Sequence, residues 1–414
     1  MRPTDSHQSA PPTLGLRANL GQFSLLVVVN AFVGGMVGLE RTILPTLAQT
    51  DFAMASQSAI LSFIVVFGIT KAIANYYAGR WASRVGRKNV LVMGWLLALP
   101  IAPLLMWAPT WNWVVVANVL LGANQGLAWS STVVMKIDLV GPKQRGLAMG
   151  LNEFAGYLAV GATAFATGWM AGTFGLRPYP FYLGVVLSVA GLFLSMFALR
   201  DTGDHVALEA TRVNDDAPQR LSRPFWETTW ARPSLGAVTQ AGLVNNLNDG
   251  LVWGLFPAYL AASGRSLTEV ALIVGLYPAV WGVGQLFTGR LADTFAHRGM
   301  LTVGMMVQGL ALMAFMWVDS YPGMLLLAAL LGLGTATVYP TFLVAIAAGT
   351  HPEDRAHAIG VFRMWRDLGY AVGALATGII ADGFGMEAAI GAVAALTFAS
   401  GMVVRLRMPS PNSE

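Results

Sequence analysis

The chain has 414 residues, of which 55% are hydrophobic and 11% charged, against about 25% charged in soluble domains. That balance excludes an ordinary soluble globule and requires a surface hidden in lipid. The net charge of +4 sits in short turns between apolar runs, which argues against nucleic acid as a partner. The absence of cysteine excludes disulfides, thiolate metal sites and cysteine catalysis.

Residues 1–20, MRPTDSHQSAPPTLGLRANL, form a polar tail without the charged, apolar and small-residue order of a cleaved leader, so the first apolar run is expected to be retained. Windows of about 20 residues, the length needed to cross a hydrocarbon core, then begin near Phe23, Gln57, Asn89, Trp113, Leu147, Pro180, Leu235, Thr268, Met300, Gly323, His357 and Met386. Long continuous runs predict helices, not barrel strands. The expected fold is an all-α membrane protein of twelve transmembrane helices in two six-helix bundles, 21–199 and 234–406, with a linker at 200–233 and a tail at 407–414. Direction follows from basic residues. With both termini cytoplasmic, that side holds Arg2, Arg17, Arg80, Arg84, Arg87, Lys88, Lys143, Arg145, Arg200, Arg212, Arg220, Arg223, Arg232, Arg290, Arg298, Arg355, Arg405 and Arg407; the other holds Arg177 and Arg265. This orientation places the chain in the inner, cytoplasmic membrane as a multi-pass protein.

An ionisable group in mid-span costs about 2.5 to 3.5 kcal/mol on insertion scales, so each marks a candidate site. Glu40 and Arg41, ending span one, read either as an interfacial pair reaching water or as gate residues. Lys71 in span two reads either as a cavity residue or as a side chain snorkelling to the inner surface. Span four carries Asn124, Gln125 and Trp129, with Lys136 and Asp138 assigned to an inner gate. Span five carries Asn152 and Glu153. In span seven, NNLNDG places Asn245, Asn248 and Asp249 on one face with Asn246 beside them, and Gly250 and Pro257 are expected to let the helix bend. Span eight adds Tyr277 and Trp281, and span ten adds Tyr339. Span eleven carries Arg363, Trp365, Arg366 and Asp367, read either as a site or as a brace in which Asp367 neutralises Arg363.

GRWASRVGRK begins at Gly79 and returns as GRLADTFAHR at Gly289, 210 residues later. The same offset matches Pro142, Arg145, Ala148 and Gly150 with Pro352, Arg355, Ala358 and Gly360. It also matches Thr167, Gly168, Phe174 and Gly175 with Thr377, Gly378, Phe384 and Gly385. Such an internal repeat is the mark of secondary transporters. It aligns Glu153 with Arg363, and a salt bridge or an alternating partnership between them across the interface is expected. The basic turns would meet when the inner side closes, with Arg80, Arg84 and Arg87 bonding helix-end carbonyls or Asp138.

Both loops resemble the signature loop of the major facilitator superfamily, and the likeness covers the whole chain. GLERTILPTLA in span one and GLNEFAGYLAVGATAFATG in span five are most similar to the drug and metabolite exporter branch. The chain departs from that pattern at Ser83, where the family loop carries an acid that the second copy keeps as Asp293. It departs again at Asn118, in place of an arginine, and at Gly156-Tyr157, in place of a Gly-Pro pair. The resemblance implies alternating access by a monomer, with no cofactor. It implies a cytoplasmic gate of Gly79, Arg80, Arg84, Gly86, Arg87, Asp138, Arg145, Gly289, Arg290 and Asp293.

No GxxxxGK[ST], HExxH or GxSxG motif is present, so an enzyme is not expected. The function expected is proton-linked export of a small organic molecule, with uptake or membrane sensing as alternatives. Glu153, Asp249 and Asp367 are the proton-coupling candidates. Asn124, Trp129, Asn152, Asn245, Asn246, Asn248, Tyr277, Tyr339, Arg363 and Arg366 are the cavity candidates. With two arginines present, an anionic or zwitterionic substrate is expected over a lipophilic cation.

Overall fold

The computed structural model describes residues 12–41, 43–53, 62–212 and 218–409. The expected start of span two at Gln57, the tail residue Arg2 and the end of the C-terminal tail lie outside these. The side chain of Arg41 does too.

Among the described residues twelve spans are built from long helices, some in two pieces. The first half holds α1 (Leu20–Arg41) with the short α2 (Leu44–Thr50), then α3 (Ser62–Val85), and α4 (Arg87–Ala98) continued by α5 (Ile101–Met106). It is completed by α6 (Trp111–Val140), α7 (Arg145–Phe174) and α8 (Tyr182–Phe193), which ends in a π turn, Leu194–Ala198. The linker carries α9 (Gly203–Thr211). The second half holds α10 (Pro233–Gly254) with α11 (Phe256–Ala262), α12 (Leu267–Leu291), α13 (His297–Ala314), α14 (Tyr321–Ala348), α15 (Arg355–Phe384) and α16 (Met386–Arg407).

Six segments, α1, α4 with α5, α8 with its π turn, α12, α14 and α16, are long and apolar enough to cross a membrane alone. Five of the other six, α3, α6, α7, α10 and α15, carry most of the buried charges and amides, so their polarity is hidden inside the bundle rather than shown to lipid. Breaks fall where chemistry dictates. Pro100 precedes α5, and Pro257, which lacks an N–H, lies in the first turn of α11. Gly250 does not bend α10 as expected; the helix runs through it, and a Cβ there would lie 2.7 Å from the Tyr370 carbonyl oxygen of α15. Its role is close packing.

The repeat appears as paired contacts. Within the halves, α3 packs on α6 as α12 packs on α14, and α1 on α7 as α10 on α15. Between them, α3 crosses α15 and α7 crosses α12. Each crossing is a glycine pair: a Cβ on Gly79 would lie 2.9 Å from the Gly360 Cα, and a Cβ on Gly289 would lie 2.9 Å from the Gly150 Cα. Gly289 and Gly360 are Gly79 and Gly150 displaced by 210 positions, so one sequence pattern makes both close approaches.

Candidate functional site

Between the halves, α3 and α15 bring five polar side chains together. Lys71 and Asn75 are one turn apart on α3, while Arg363, Arg366 and Asp367 share a face of α15. Asp367 Oδ2 accepts from Asn75 Nδ2 at 2.7 Å and lies 3.6 Å from Lys71 Nζ. Its Oδ1 accepts from Arg366 Nε at 2.9 Å and lies 2.8 Å from Nη2. Asp367 therefore neutralises Arg366 and Lys71, not Arg363 as the bracing reading supposed. Arg363 donates from Nε to Asn75 Oδ1 at 3.3 Å, and Ser130 Oγ donates to the same oxygen at 2.6 Å. Arg363 is wholly buried, yet its Nη1 and Nη2 have no hydrogen-bond partner among the described residues. Lys71 does not snorkel: its ammonium stands 5.6 Å from the Trp129 ring.

A second cluster lies inside the first half. Glu153 accepts from Trp129 Nε1 at 3.2 Å and from Asn152 Nδ2 at 2.7 Å. Lys136 is fully buried and donates to Asn152 Oδ1, so it belongs here and not to the inner gate. The expected Glu153–Arg363 salt bridge is not formed: Glu153 accepts from Trp129 and Asn152, and Arg363 bonds only through Nε, to Asn75, among the described residues. In the second half, Tyr277 donates to Asp249, and its hydroxyl lies 3.3 Å from that of Thr335.

The opposite wall is aromatic. Tyr157 meets Tyr339 hydroxyl to hydroxyl at 3.0 Å, and its ring lies 4.5 Å from that of Trp281. Trp281 stacks on Tyr277 at 6.0 Å, and Arg366 lies 5.0 Å from the Tyr339 ring. The repeat explains the contrast. Displaced by 210 positions, Lys71 becomes Trp281, Asn75 becomes Gln285 and Asp367 becomes Tyr157. One crossing is charged and its twin is aromatic.

Four cavity candidates make their hydrogen bonds elsewhere. Asn124 donates to the Gly94 carbonyl at 3.0 Å and ties α6 to α4. Asn248 donates to Gln308 and accepts from Thr397, which turns it into the second bundle, away from Asp249. Asn245 and Asn246 bond each other at 3.3 Å. Glu40 is buried and accepts from Asn118 at 3.1 Å, so it does not reach water.

The halves are fastened at the linker side. Asp138 lies 3.4 Å from Arg87 and 3.4 Å from Arg355, and accepts from Thr202 at 2.9 Å. Glu209, on α9, accepts from Arg355 at 2.6 and 2.9 Å and also from Arg145. Burial pushes the Glu209 carboxyl up, but its bonds and charge pairing with Arg355 and Arg145 outweigh this and hold it below the usual range. Asp293 accepts from the N–H groups of Gly146 at 2.6 Å and Leu147 at 2.9 Å, capping α7 from the other half. Burial raises its carboxyl in spite of these donors. Ser83, its counterpart, donates only to the Arg80 carbonyl of its own helix. Gly86 starts α4 at φ 91°, a left-handed conformation that suits glycine. Of the loop arginines, Arg87 reaches Asp138 and the Ala82 carbonyl, whereas Arg84 and Arg290 point outward. No hydrogen bond or ion pair among the described residues joins the halves beyond Tyr157 and Tyr339, on the side away from the linker.

Asn75, Tyr157 and Glu209 were not foreseen. Asn75 and Tyr157 were within reach of the 210-residue offset, being the counterparts of Gln285 and Asp367; Glu209 had no such signal.

The family model of the Major Facilitator Superfamily matches residues 24–245 and 238–414. The chain belongs to that superfamily. It is thus a multi-pass membrane transporter of small molecules and not an enzyme. A multidrug resistance protein, MdtG, of Salmonella paratyphi C (strain RKS4594) is 25% identical over 332 residues, 78% of this chain and 80% of the relative. The fold is similar to that of the E. coli fucose:proton symporter FucP, at a TM-score of 0.75 and 15% identity, covering 94% of this chain and 98% of that one. It is also similar to the human organic anion transporter MFSD10, at 0.72 and 16% identity, covering 93% and 99%.

Proposed function

We propose that this superfamily member exports an amphipathic organic anion in exchange for protons, with the linker side facing the cytoplasm. Residues 21–199 and 234–406 are the rocking units, 200–233 the tether, and a monomer the working unit. The observation that carries this reading is Arg363, a buried guanidinium whose two terminal nitrogens have no hydrogen-bond partner among the described residues. A buried donor left unpaired costs about 1 to 3 kcal/mol, more when charged, and a substrate carboxylate or sulfonate would meet both nitrogens at once. The aromatic wall of Tyr157, Trp281 and Tyr339 gives the rest of that substrate an apolar face to lie against. Arg366 and Lys71 complete the positive wall, and Asp367 competes with the substrate for them.

Glu153 and Asp249 serve as the proton carriers in this scheme. Each is held by neutral donors and makes no ion pair among the described residues, so a proton can come and go without breaking one. Asp367, with its cations in contact, is assigned to holding Arg366. Trp129 and Asn152 position Glu153, and Tyr277 positions Asp249. Export is supported by the likeness to MdtG, and orientation by the excess of Lys and Arg on the linker side.

Inverted membrane vesicles given an imposed pH gradient test the substrate class. Accumulation of carboxyfluorescein, lost in Arg363→Gln, is expected. Accumulation of ethidium with carboxyfluorescein excluded would overturn the anion assignment.

A further inference from the structure

On the linker side, the last turns of α3 face a cavity of about 420 Å³, within the usual size of a small-molecule site. Arg80, Ser83 and Arg84 line one wall, His357 of α15 another, and Arg223, Phe225 and Trp226 of the linker a third. No carboxylate among the described residues lines it. Among the described residues none of the three arginines makes an ion pair through its side chain in this structure. Among the described residues His357 Nε2 is buried without a hydrogen-bond partner, and no side chain caps the start of α15.

The twin crossing shows what is absent. There Asp293 stands at the position of Ser83 and satisfies the start of α7 with its own carboxylate. At the first crossing Ser83 supplies no such carboxylate and leaves room beside it. Trp226, which lines it, is 54% exposed, as side chains are at the level of lipid headgroups.

We propose that this cavity binds the headgroup phosphate of an anionic phospholipid from the linker-side leaflet. Arg80, Arg84 and Arg223 hold the phosphate oxygens by charge-assisted bonds, and Phe225 and Trp226 pack against the glycerol and upper chain. The lipid supplies the negative charge that Asp293 supplies at the twin crossing. Because the walls come from α3, α15 and the linker, occupancy fastens the two halves on that side.

The test follows the thermal midpoint of the purified full-length chain in detergent during titration with dioctanoyl phosphatidylglycerol, dioctanoyl phosphatidylcholine or inorganic phosphate. A saturable rise with phosphatidylglycerol is expected, at about tenfold lower concentration than with phosphatidylcholine. Arg223→Gln removes an exposed side chain and should weaken it about tenfold, the loss of one charged contact. Ser83→Asp should weaken it at least as much by filling the site with its own acid, while Ser83→Ala leaves it unchanged. Equal response to both lipids, or identical titrations in wild type, Arg223→Gln and Ser83→Asp, would overturn the proposal. Saturation by inorganic phosphate at the concentrations that phosphatidylglycerol needs would overturn the lipid as the source.

Discussion

Arg145 and Arg355, equivalent positions of the two repeats, donate to one carboxylate, that of Glu209 on the linker helix. A single acid thus ties the two halves together on the linker side, and any opening there must break at least one pair. Removing one partner of a buried ion pair costs about 3 to 5 kcal/mol. Glu209→Gln is therefore predicted to shift the population towards linker-side opening. The native chain has no cysteine, so spin labels on Lys143→Cys and Thr294→Cys report the distance directly. A longer mean distance is expected in the Glu209→Gln background; an unchanged one would count against the clamp.

The same clamp has a predictable pH response. Glu209 is held below the usual carboxylate range in the closed state, so the closed state is favoured above the unpaired pKa and loses that favour only as pH falls through the lowered value. The label distance is predicted to stay constant from neutral pH down to about pH 5, then to lengthen in stronger acid. Lengthening between pH 8 and 6 would place control in another group.

Gly79 and Gly289 allow backbone contact at the two crossings. Valine at either position is predicted to prevent full linker-side closure, lowering transport at least tenfold while leaving the amount of folded protein in the membrane near normal. Because the crossings are repeats of each other, the two variants should behave alike. A silent Gly79→Val would remove the α3 to α15 crossing from the cycle.

Trp281 forms part of the aromatic wall between Tyr157, Tyr277 and Tyr339. Aromatic contacts of this kind contribute about 0.5 to 1.5 kcal/mol beyond area burial. Trp281→Ala is predicted to raise KM for an aromatic anion roughly three- to tenfold, with a smaller effect on a short aliphatic one. Equal changes for both would mean that the wall packs the bundle and does not meet substrate.

Twelve spans and two related halves were legible because hydropathy length, the distribution of Lys and Arg and a fixed offset are properties of the chain itself. The rotational setting of each helix was not. In a soluble helix one face is apolar and the other polar, but here lipid and protein interior both select apolar residues, so Asn248 and Asp249 gave no sign that they face different partners. Lys136 was assigned to the gate because it lies near the end of its helix, whereas α6 is buried along its whole second half. Glu209 sits in a polar linker whose composition is that of a simple tether. Its importance comes from meeting the equivalent residues Arg145 and Arg355 at once, which only the fold supplies.

The central claim is that an organic anion and protons move through one shared site. It is tested most directly by proton flux in proteoliposomes holding the wild-type chain or the Glu153→Gln, Asp249→Asn double variant, with internal pH followed as carboxyfluorescein is added under an imposed pH gradient. The prediction is substrate-dependent proton movement in wild type, and, in the double variant, anion exchange that continues without it. Substrate-coupled proton flux of wild-type size in the double variant would contradict the account.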